Sequence, residues 1–533
     1  MNAPPALRVR RSLTELQDQY TSGNKKALED LMRAWKGIKE LPPDDPNSFF
    51  VIAGYHGEPF RGAGWGNASF WGGYCNHGNV LFPTWHRAYV LRLENALRSI
   101  KGCDDVTLPF WDETSEESLK NGIPWALTRK NFELDGQTIP NPLRSFTLPQ
   151  NIVDHIQFAP DADYSKLAGY ETVRYPLSGL VGTDDDKAKT KAHNALYPEY
   201  DKNVEILNGN VVAWLNTTIV VQDQMIGGMV KDKYVACLAA PNYTVFSNTT
   251  SAAEWNDNNP PARSLESPHN SIHLAVGGFD LPGIGPAKGD ASPIFGANGD
   301  MGENDTASMD PIFFFHHCFV DRVFWLWQKR HGATDRLEIK PQYPGTNSVD
   351  NQGPTPGMVP NSWLTLESPL DPFTVTENGR QRATTSLDCV NIETQLGYTY
   401  GPGSLDQHVA PAAASLAAGS ERTIRVGGIN RARIRGSFLI SAFAKVDGKR
   451  EHMGTEAILS RWHVEGCANC QTHVEAKATF NVRGARAQAL GKNDVEVEIR
   501  TRDGLLDGAP RTLAATPAAA TAAARPRFFI DVR

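Results

Sequence analysis

Eighteen residues past the middle of the chain, DPIFFFHHCFVDRVFWLW from Asp310 to Trp327, restrict its fold more than any other stretch. Asp310-Pro311 has the chemistry of a helix start: a capping carboxylate, then a proline whose missing N–H falls where a helix has no use for one. The pattern predicts a helix over Asp310 to Lys329, apolar on both faces rather than along one stripe. Two histidines, His316 and His317, ride in it. Imidazoles in so apolar a helix cost desolvation free energy unless partners meet them. Neighbours on a helix point ~100° apart, so at most one of the pair aims at any shared partner, and periodicity does not choose between them.

The rest of the first four hundred residues reads as further helices joined by long loops rich in Gly, Pro and aromatic residues. Ser12 to Ile38 has helical spacing with a break at Ser22-Gly23, and Thr84 to Ile100 and Ser267 to Ala275 are two more candidates. Asp161 to Tyr197 reads as an irregular excursion, and Gln342 to Asn361 as loop. Gly401 to Ser420 has almost no large apolar residue, and beyond it the period changes to two. Thr423–Ile429, Ser437–Val446, His452–Leu459, His473–Val482 and Asp494–Thr501 read as strands of a β-sandwich. Leu513 to Ala524 is Ala-rich low complexity, and Phe528 to Val532 a last strand. The expected architecture is a mainly α catalytic domain over 1–402, a linker over 403–422, an all-β domain over 423–512, and a tether with terminal strand over 513–533.

Composition removes several function classes. Lys+Arg 53 against Asp+Glu 60 leaves a net charge of −7, with no basic surplus for a nucleic-acid backbone. No apolar run approaches the ~18 residues of a membrane helix, and MNAPPALRVRRSLTELQDQY has no apolar segment behind its basic residues. The expectation is therefore a protein without membrane or nucleic-acid partners, cytoplasmic by default. Seven cysteines are too sparse for a disulfide framework at this length. Two local cysteine patterns remain, Cys75-Asn-His77 and Cys467-Ala-Asn-Cys470.

The histidines carry the chemistry. His269 and His273, four apart, put both imidazoles on one helical face. His77 and His86 flank the start of the Thr84–Ile100 helix, and His56 follows the apolar run VIAGY. Six neutral imidazoles split three and three suit two late first-row metals. Ligand type admits copper, zinc, iron or nickel, although a di-zinc hydrolase would be expected to recruit carboxylates, and no acid sits at ligand spacing here. His155, His193, His331, His408 and His452 lack partners at ligand spacing and are expected at the surface. Asp321 and Arg322 read as a structural ion pair.

These motifs resemble the type-3 copper proteins, specifically tyrosinases and polyphenol oxidases. His56, Cys75-Asn-His77 and His86 match one signature; His269-x3-His273 followed by Asp310-Pro-Ile-Phe-Phe-x2-His317-x3-Asp321 matches the second. Leu396-Gly-Tyr398-Thr-Tyr400 resembles the family's Tyr-x-Tyr signature near the end of the catalytic domain. The resemblance implies a four-helix bundle holding two copper ions. His56, His77 and His86 would bind one, and His269, His273 and His317 the other. His316 and Phe313 would support the ligands from behind, and Cys75 would form a thioether to His77. It also implies O2 and phenolic small molecules as substrates: monophenols hydroxylated ortho to the oxygen, o-diphenols oxidised to o-quinones. A catechol oxidase without hydroxylase activity and a haemocyanin-like O2 carrier are the alternatives.

A phenol has to lose its proton before it binds a metal, and its ordinary pKa near 10 opposes that at neutral pH. The resemblance suggests Glu266 and Asn270 as the groups that hold a water to take it. The β-rich part resembles the C-terminal domain of long fungal and bacterial members, where it lids the site. Ile458, Leu459 and Trp462 are the candidate plugs. Cys467 and Cys470, flanked by His463 and His473, suit copper loading by ligand type, though a structural zinc site or inert thiols fit the same residues. Large two-domain members often associate, so a homo-oligomer is also an expectation.

Overall fold

The computed structural model describes residues 7–57, 73–154, 164–221, 224–281, 298–350, 353–354, 358–359, 361–410, 421–446, 448–462, 475–483, 491–506 and 528–532. Cys467, Cys470, His463, His473, His155 and the Leu513–Ala524 stretch lie outside the described residues. No helix among the described residues is long and apolar enough to cross a membrane.

The helices that frame the site are numbered α1 (Lys26–Glu40), α2 (Phe82–Arg98), α3 (Tyr200–Asn216), α4 (Val230–Cys237), α5 (Glu266–Gly277) and α6 (Ile312–His331). As its composition predicts, α6 runs through the middle, with every residue from Ile312 to Gln328 buried. Asp310 Oδ1 accepts from the Ile312 N–H at 3.1 Å, so the expected start holds. Helix α6 packs on α2 and α5, α2 on α1, and α5 on α3 and α4. The break at Ser22-Gly23 is present: one helix ends at Thr21 and α1 begins at Lys26.

Strand β1 (Arg8–Arg10) pairs in parallel with β2 (Tyr398–Tyr400) and ties the N-terminus to the end of the helical domain. Period-two alternation places Tyr398 and Tyr400 on one side of β2, where both hydroxyls donate to Asp321 Oδ2 at 2.6 Å. Arg87 reaches Asp321 at 2.5 Å and Arg10 at 3.4 Å, all with side chains out of solvent. Asp321 and Arg322 are therefore not a pair. Adjacent helical positions diverge, and Arg322 pairs with Asp406 at 2.5 Å instead. Ser404 donates from its main chain to Asp112 at 2.8 Å, so residues 403–410 of the expected linker lie against the helical domain.

The excursion expected over Asp161 to Tyr197 contains a helix, Asp184–Asn194, started by a reciprocal cap between Thr183 and Asp186. His193, in that helix, is buried with Nε2 against the Pro176 carbonyl at 2.7 Å, and His452 is half-buried. Neither is the surface residue that its lack of ligand spacing suggested. Helix α3 was not foreseen from the sequence either.

The expected strands form as β3 (Glu421–Asn430), β4 (Phe438–Val446), β5 (Lys449–Ile458), β6 (Glu475–Arg483), β7 (Val495–Thr501) and β9 (Phe529–Val532), and a short unexpected one, β8 (Gly504–Leu505), precedes the last. They make two antiparallel sheets, in the orders β6-β3-β9 and β5-β4-β7-β8. Ile424, Val426 and Phe480 of one sheet share a core with Phe438, Ile440 and Val497 of the other. Strand β4 is buried on both faces from Phe438 to Ala444. The reason is the neighbour on its far side: Leu439, Ala457 and Leu459 join the core of the helical domain.

Candidate metal centre and its cover

Two groups of buried histidines meet in the helical domain: His56, His77 and His86, and His269, His273, His316 and His317. His86 is held on α2, His269 and His273 one turn apart on α5, and His316 and His317 on α6. His56 follows a short helix, Phe49–Ala53, capped by Ser48. The two groups share a wall, because His86 stacks on His317 with ring centres 4.5 Å apart and planes 15° from parallel.

Hydrogen bonds on the far side of the rings set which nitrogen faces inward. His86 Nδ1 donates to the Phe82 carbonyl and His273 Nδ1 to the Met301 carbonyl, both at 2.8 Å. His269 Nδ1 donates to Asn270 Oδ1 at 2.9 Å. With those protons placed, the Nε2 atoms of His269 and His273 carry lone pairs. Both point at His317 Nε2, at 3.2 and 3.4 Å. Three ligands at the ~2.0–2.1 Å typical of a metal–imidazole bond would sit roughly 3.3 Å apart. His317 Nδ1 has no hydrogen-bond partner among the described residues, so nothing holds its proton away from Nε2, and the spacing of the three Nε2 atoms matches a metal's ligand set when that proton sits on Nδ1. In the other group, both nitrogens of His77 and Nε2 of His86 are buried without a hydrogen-bond partner.

Burial holds these imidazoles below their ordinary pKa, with His86 and His316 down at about 3. Neutral, the rings keep their lone pairs for a metal.

The two adjacent histidines of α6 diverge as helix geometry requires. His316 Nδ1 lies 2.5 Å from Glu113 Oε1, and Glu113 Oε2 accepts from the Tyr234 hydroxyl at 2.7 Å. Phe313 stacks on His317 with ring centres 3.9 Å apart, and its ring lies 4.7 Å from that of His56. Cys75 is buried and in no disulfide.

A cavity of about 230 Å³ adjoins the histidines where the two domains meet. His77, Glu266 and Asn270 line it from the helical side, and Glu456, Ile458 and Leu459 from the β side. Glu266 is buried and fully engaged in the loop structure: Oε1 accepts from the Gly78 N–H at 2.7 Å, and Oε2 from the Thr249 N–H and hydroxyl at 2.8 Å each. Burial raises its pKa. Trp462 is not on this cavity. It packs against Val181, and its main-chain N–H donates to Asp305 Oδ2 at 2.9 Å.

Two groups of residues escaped the sequence reading. Glu113 stands about two hundred positions from the histidine it meets, and no local pattern marks it. Glu456 left no trace either, since its strand also carries Lys449, Arg450, Glu451 and His452 and does not mark one charge as inward. Glu456 meets Lys233, Arg263 and Ser267 across the domain boundary.

Comparison with known proteins agrees with this geometry. The family model "Common central domain of tyrosinase" matches residues 46–330. A tyrosinase of Hahella sp. is 52% identical over 517 residues, covering 93% of this chain and 92% of that one. A tyrosinase of Aspergillus oryzae is 47% identical over 512 residues, covering 90% and 91%. The structure of a Burkholderia thailandensis tyrosinase at low pH superposes with a TM-score of 0.81 at 49% identity, over 99% of this chain and all of that one. With two three-histidine clusters fit for a dicopper centre, and relatives matched along nearly their whole length, the chain belongs to the tyrosinase family.

Proposed function

We propose that the protein hydroxylates monophenols ortho to their oxygen and oxidises o-diphenols to o-quinones with O2. The observation that carries this reading is the pair of three-histidine clusters sharing one wall, in a chain of this family. We assign His56, His77 and His86 to one copper and His269, His273 and His317 to the other. When bound, the copper pair supplies the electron transfers between O2 and the phenol ring.

The chain's own residues do the rest. The main-chain carbonyls of Phe82 and Met301, with Asn270, aim three of the imidazoles. Phe313 blocks rotation of His317, and Glu113 draws His316 away from the pair of α5 ligands. Glu266 has three of its ~four acceptor positions occupied. The last is left for the phenol's proton, received directly or through a water that Asn270 shares. A carboxyl group raised by burial is a better match for that proton than an ordinary one. Cys75 forms a thioether to His77: a C–S bond replaces one S–H and one ring C–H, and O2 takes the two hydrogens.

The β domain is a docked cover over the cavity, with Ile458 and Leu459 as its apolar contact, and a linker over 403–422 joins it to the catalytic domain over 1–402. Cys467 and Cys470 assist copper loading.

The test is O2 consumption with a monophenol and with a catechol, alongside a copper count. Turnover of both is expected at two coppers per chain. Turnover of the catechol alone would make the protein a catechol oxidase, and reversible O2 binding without turnover a carrier. His317→Ala is expected to lose one copper and all activity. Loss from His316→Ala with two coppers retained in His317→Ala would reverse the assignment on α6.

A further inference from the structure

On the Nδ1 side of the His273 ring, the chain around the single turn Asp300–Gly302 carries a buried ion group. Lys166, Asp300 and Glu303 all have their side chains out of solvent. Lys166 Nζ donates to Asp300 Oδ1 at 2.5 Å and to Thr306 Oγ1 at 3.1 Å, and lies 3.4 Å from Glu303 Oε2. Asp300 Oδ2 accepts from the Tyr170 hydroxyl and the Val173 N–H, both at 2.8 Å. Glu303 Oε1 accepts from Asn298 Nδ2 at 2.6 Å. Charges this deep persist only where opposite charge and hydrogen bonds meet them, and removing one partner leaves the others buried and uncompensated.

The place of this group in the chain gives it a second consequence. Asp300 and Glu303 bracket Met301, whose carbonyl accepts from His273 Nδ1 at 2.8 Å. In so short a turn, the direction of that carbonyl follows from where the bracketing residues are held. Main-chain contacts fix the turn against α5. A Cβ on Gly277 would lie 2.3 Å from Gly302 Cα, and the Gly299 N–H donates to the Gly277 carbonyl. Gly277 stands one helical turn beyond His273. The Asp300 side chain fixes the turn to the 166–173 segment, and Lys166 touches both bracketing carboxylates. His269 takes its acceptor from the next residue, Asn270, whereas whatever orients His273 from behind has to act through this turn.

We propose that Lys166 is a positioning residue for the copper held by His269, His273 and His317. By tying Asp300 to Glu303 it fixes the Met301 carbonyl, and through that carbonyl the His273 ring. The proposal rests on the assignment of His273 as a copper ligand, and its test separates the two.

The test uses the full copper-loaded chain. Lys166→Met removes the ammonium group and leaves two carboxylates buried. Lys166→Met with Glu303→Gln removes it while keeping the single net negative charge of the native group, so the result is read on this double variant if the first does not fold. Copper per chain is followed against a competing chelator. Loss of an outer partner typically lowers metal affinity 10- to 100-fold, so one ion should leave at a chelator concentration about 10- to 100-fold lower, and the other should leave as in wild type. Adding Asn270→Ala, which acts on His269 of the same cluster, should leave the curve of the second ion unchanged. An unshifted release curve, or a parallel shift of both ions, overturns the proposal and leaves Lys166 a purely structural group. Early loss of the second ion in the combined variant also overturns it, because Lys166 would then act on the other copper. His273→Ala checks the assignment beneath it and should hold one copper. Two coppers retained in His273→Ala would remove the assignment and the proposal together, whereas one copper there with an unshifted Lys166 variant would remove the proposal alone.

Discussion

Of the three imidazoles whose Nδ1 acceptor is a carbonyl or amide oxygen, two lean on the main chain and one on a side chain. Phe82 and Met301 offer backbone carbonyls, which no substitution of their side chains deletes; His269 alone depends on Asn270 Oδ1, at 2.9 Å. Asn270→Ala leaves a buried N–H without an acceptor, a cost of ~1–3 kcal/mol, and frees the ring to turn. Loss of such an outer partner typically lowers metal affinity 10- to 100-fold, or roughly 1.4–2.7 kcal/mol. The assay is release of copper from the loaded protein to a competing chelator, followed as copper per chain. Wild type should release both ions at high chelator. Asn270→Ala should give up one at a chelator concentration about 10- to 100-fold lower and keep the other unchanged. Asn270→Asp retains an acceptor and should hold both, while altering the ratio of monophenol to catechol turnover if the residue also handles the phenol proton. An unchanged release curve for Asn270→Ala, or a parallel shift of both coppers, would refute the reasoning.

Glu266→Gln replaces an acceptor of three hydrogen bonds with an amide whose nitrogen faces donors. Monophenol hydroxylation should fall well below catechol oxidation in steady-state assays; equal loss on both substrates would assign Glu266 a structural role only. Asp321→Asn leaves Arg87 buried against a neutral group, while Arg10 keeps Glu94 at 2.7 Å, and denaturant unfolding should show a loss of about 3–5 kcal/mol. Acidification should open the cover. Burial pushes the Glu456 carboxyl up, but Lys233 and Arg263 outweigh it and hold its pKa below the ordinary 4.5. Its docked pKa lies below its undocked one, so its share of docking is complete above the ordinary carboxylate range and is lost as pH falls through the docked value. Asp305, raised by burial despite Arg461 and the Trp462 N–H, works in the opposite sense and gains docking as it takes up its proton. Turnover of a neutral catechol should therefore rise below about pH 4.5, and the rise should be absent in Glu456→Gln. A rise of equal size in that variant would place the trigger elsewhere.

The sequence by itself determined the two-part architecture and the histidines that meet at the centre. Both are local signals. The change of period from 3.6 to 2 across 401–420 is a property of consecutive residues. His269 and His273 share a face because a helix repeats every turn, whatever packs against it. An all-round apolar α6 has only one place to go. Tertiary structure decided what depends on groups far apart in the chain. Periodicity could not separate His316 from His317; the separation comes from Glu113, about two hundred residues away, on one side, and from the α5 imidazoles on the other. Asp321 takes Arg87 and Arg10 instead of its neighbour, because adjacent helical side chains diverge while distant ones converge in a core. The helix over Asp184–Asn194 is polar and weakly patterned, so its own cap and its packing, more than any apolar stripe, set it. The charge cluster at the domain boundary is the extreme case: Lys233, Arg263, Ser267 and Glu456 come from two domains, and a charge's partner is fixed by position in space, to which the order of residues gives no direct measure.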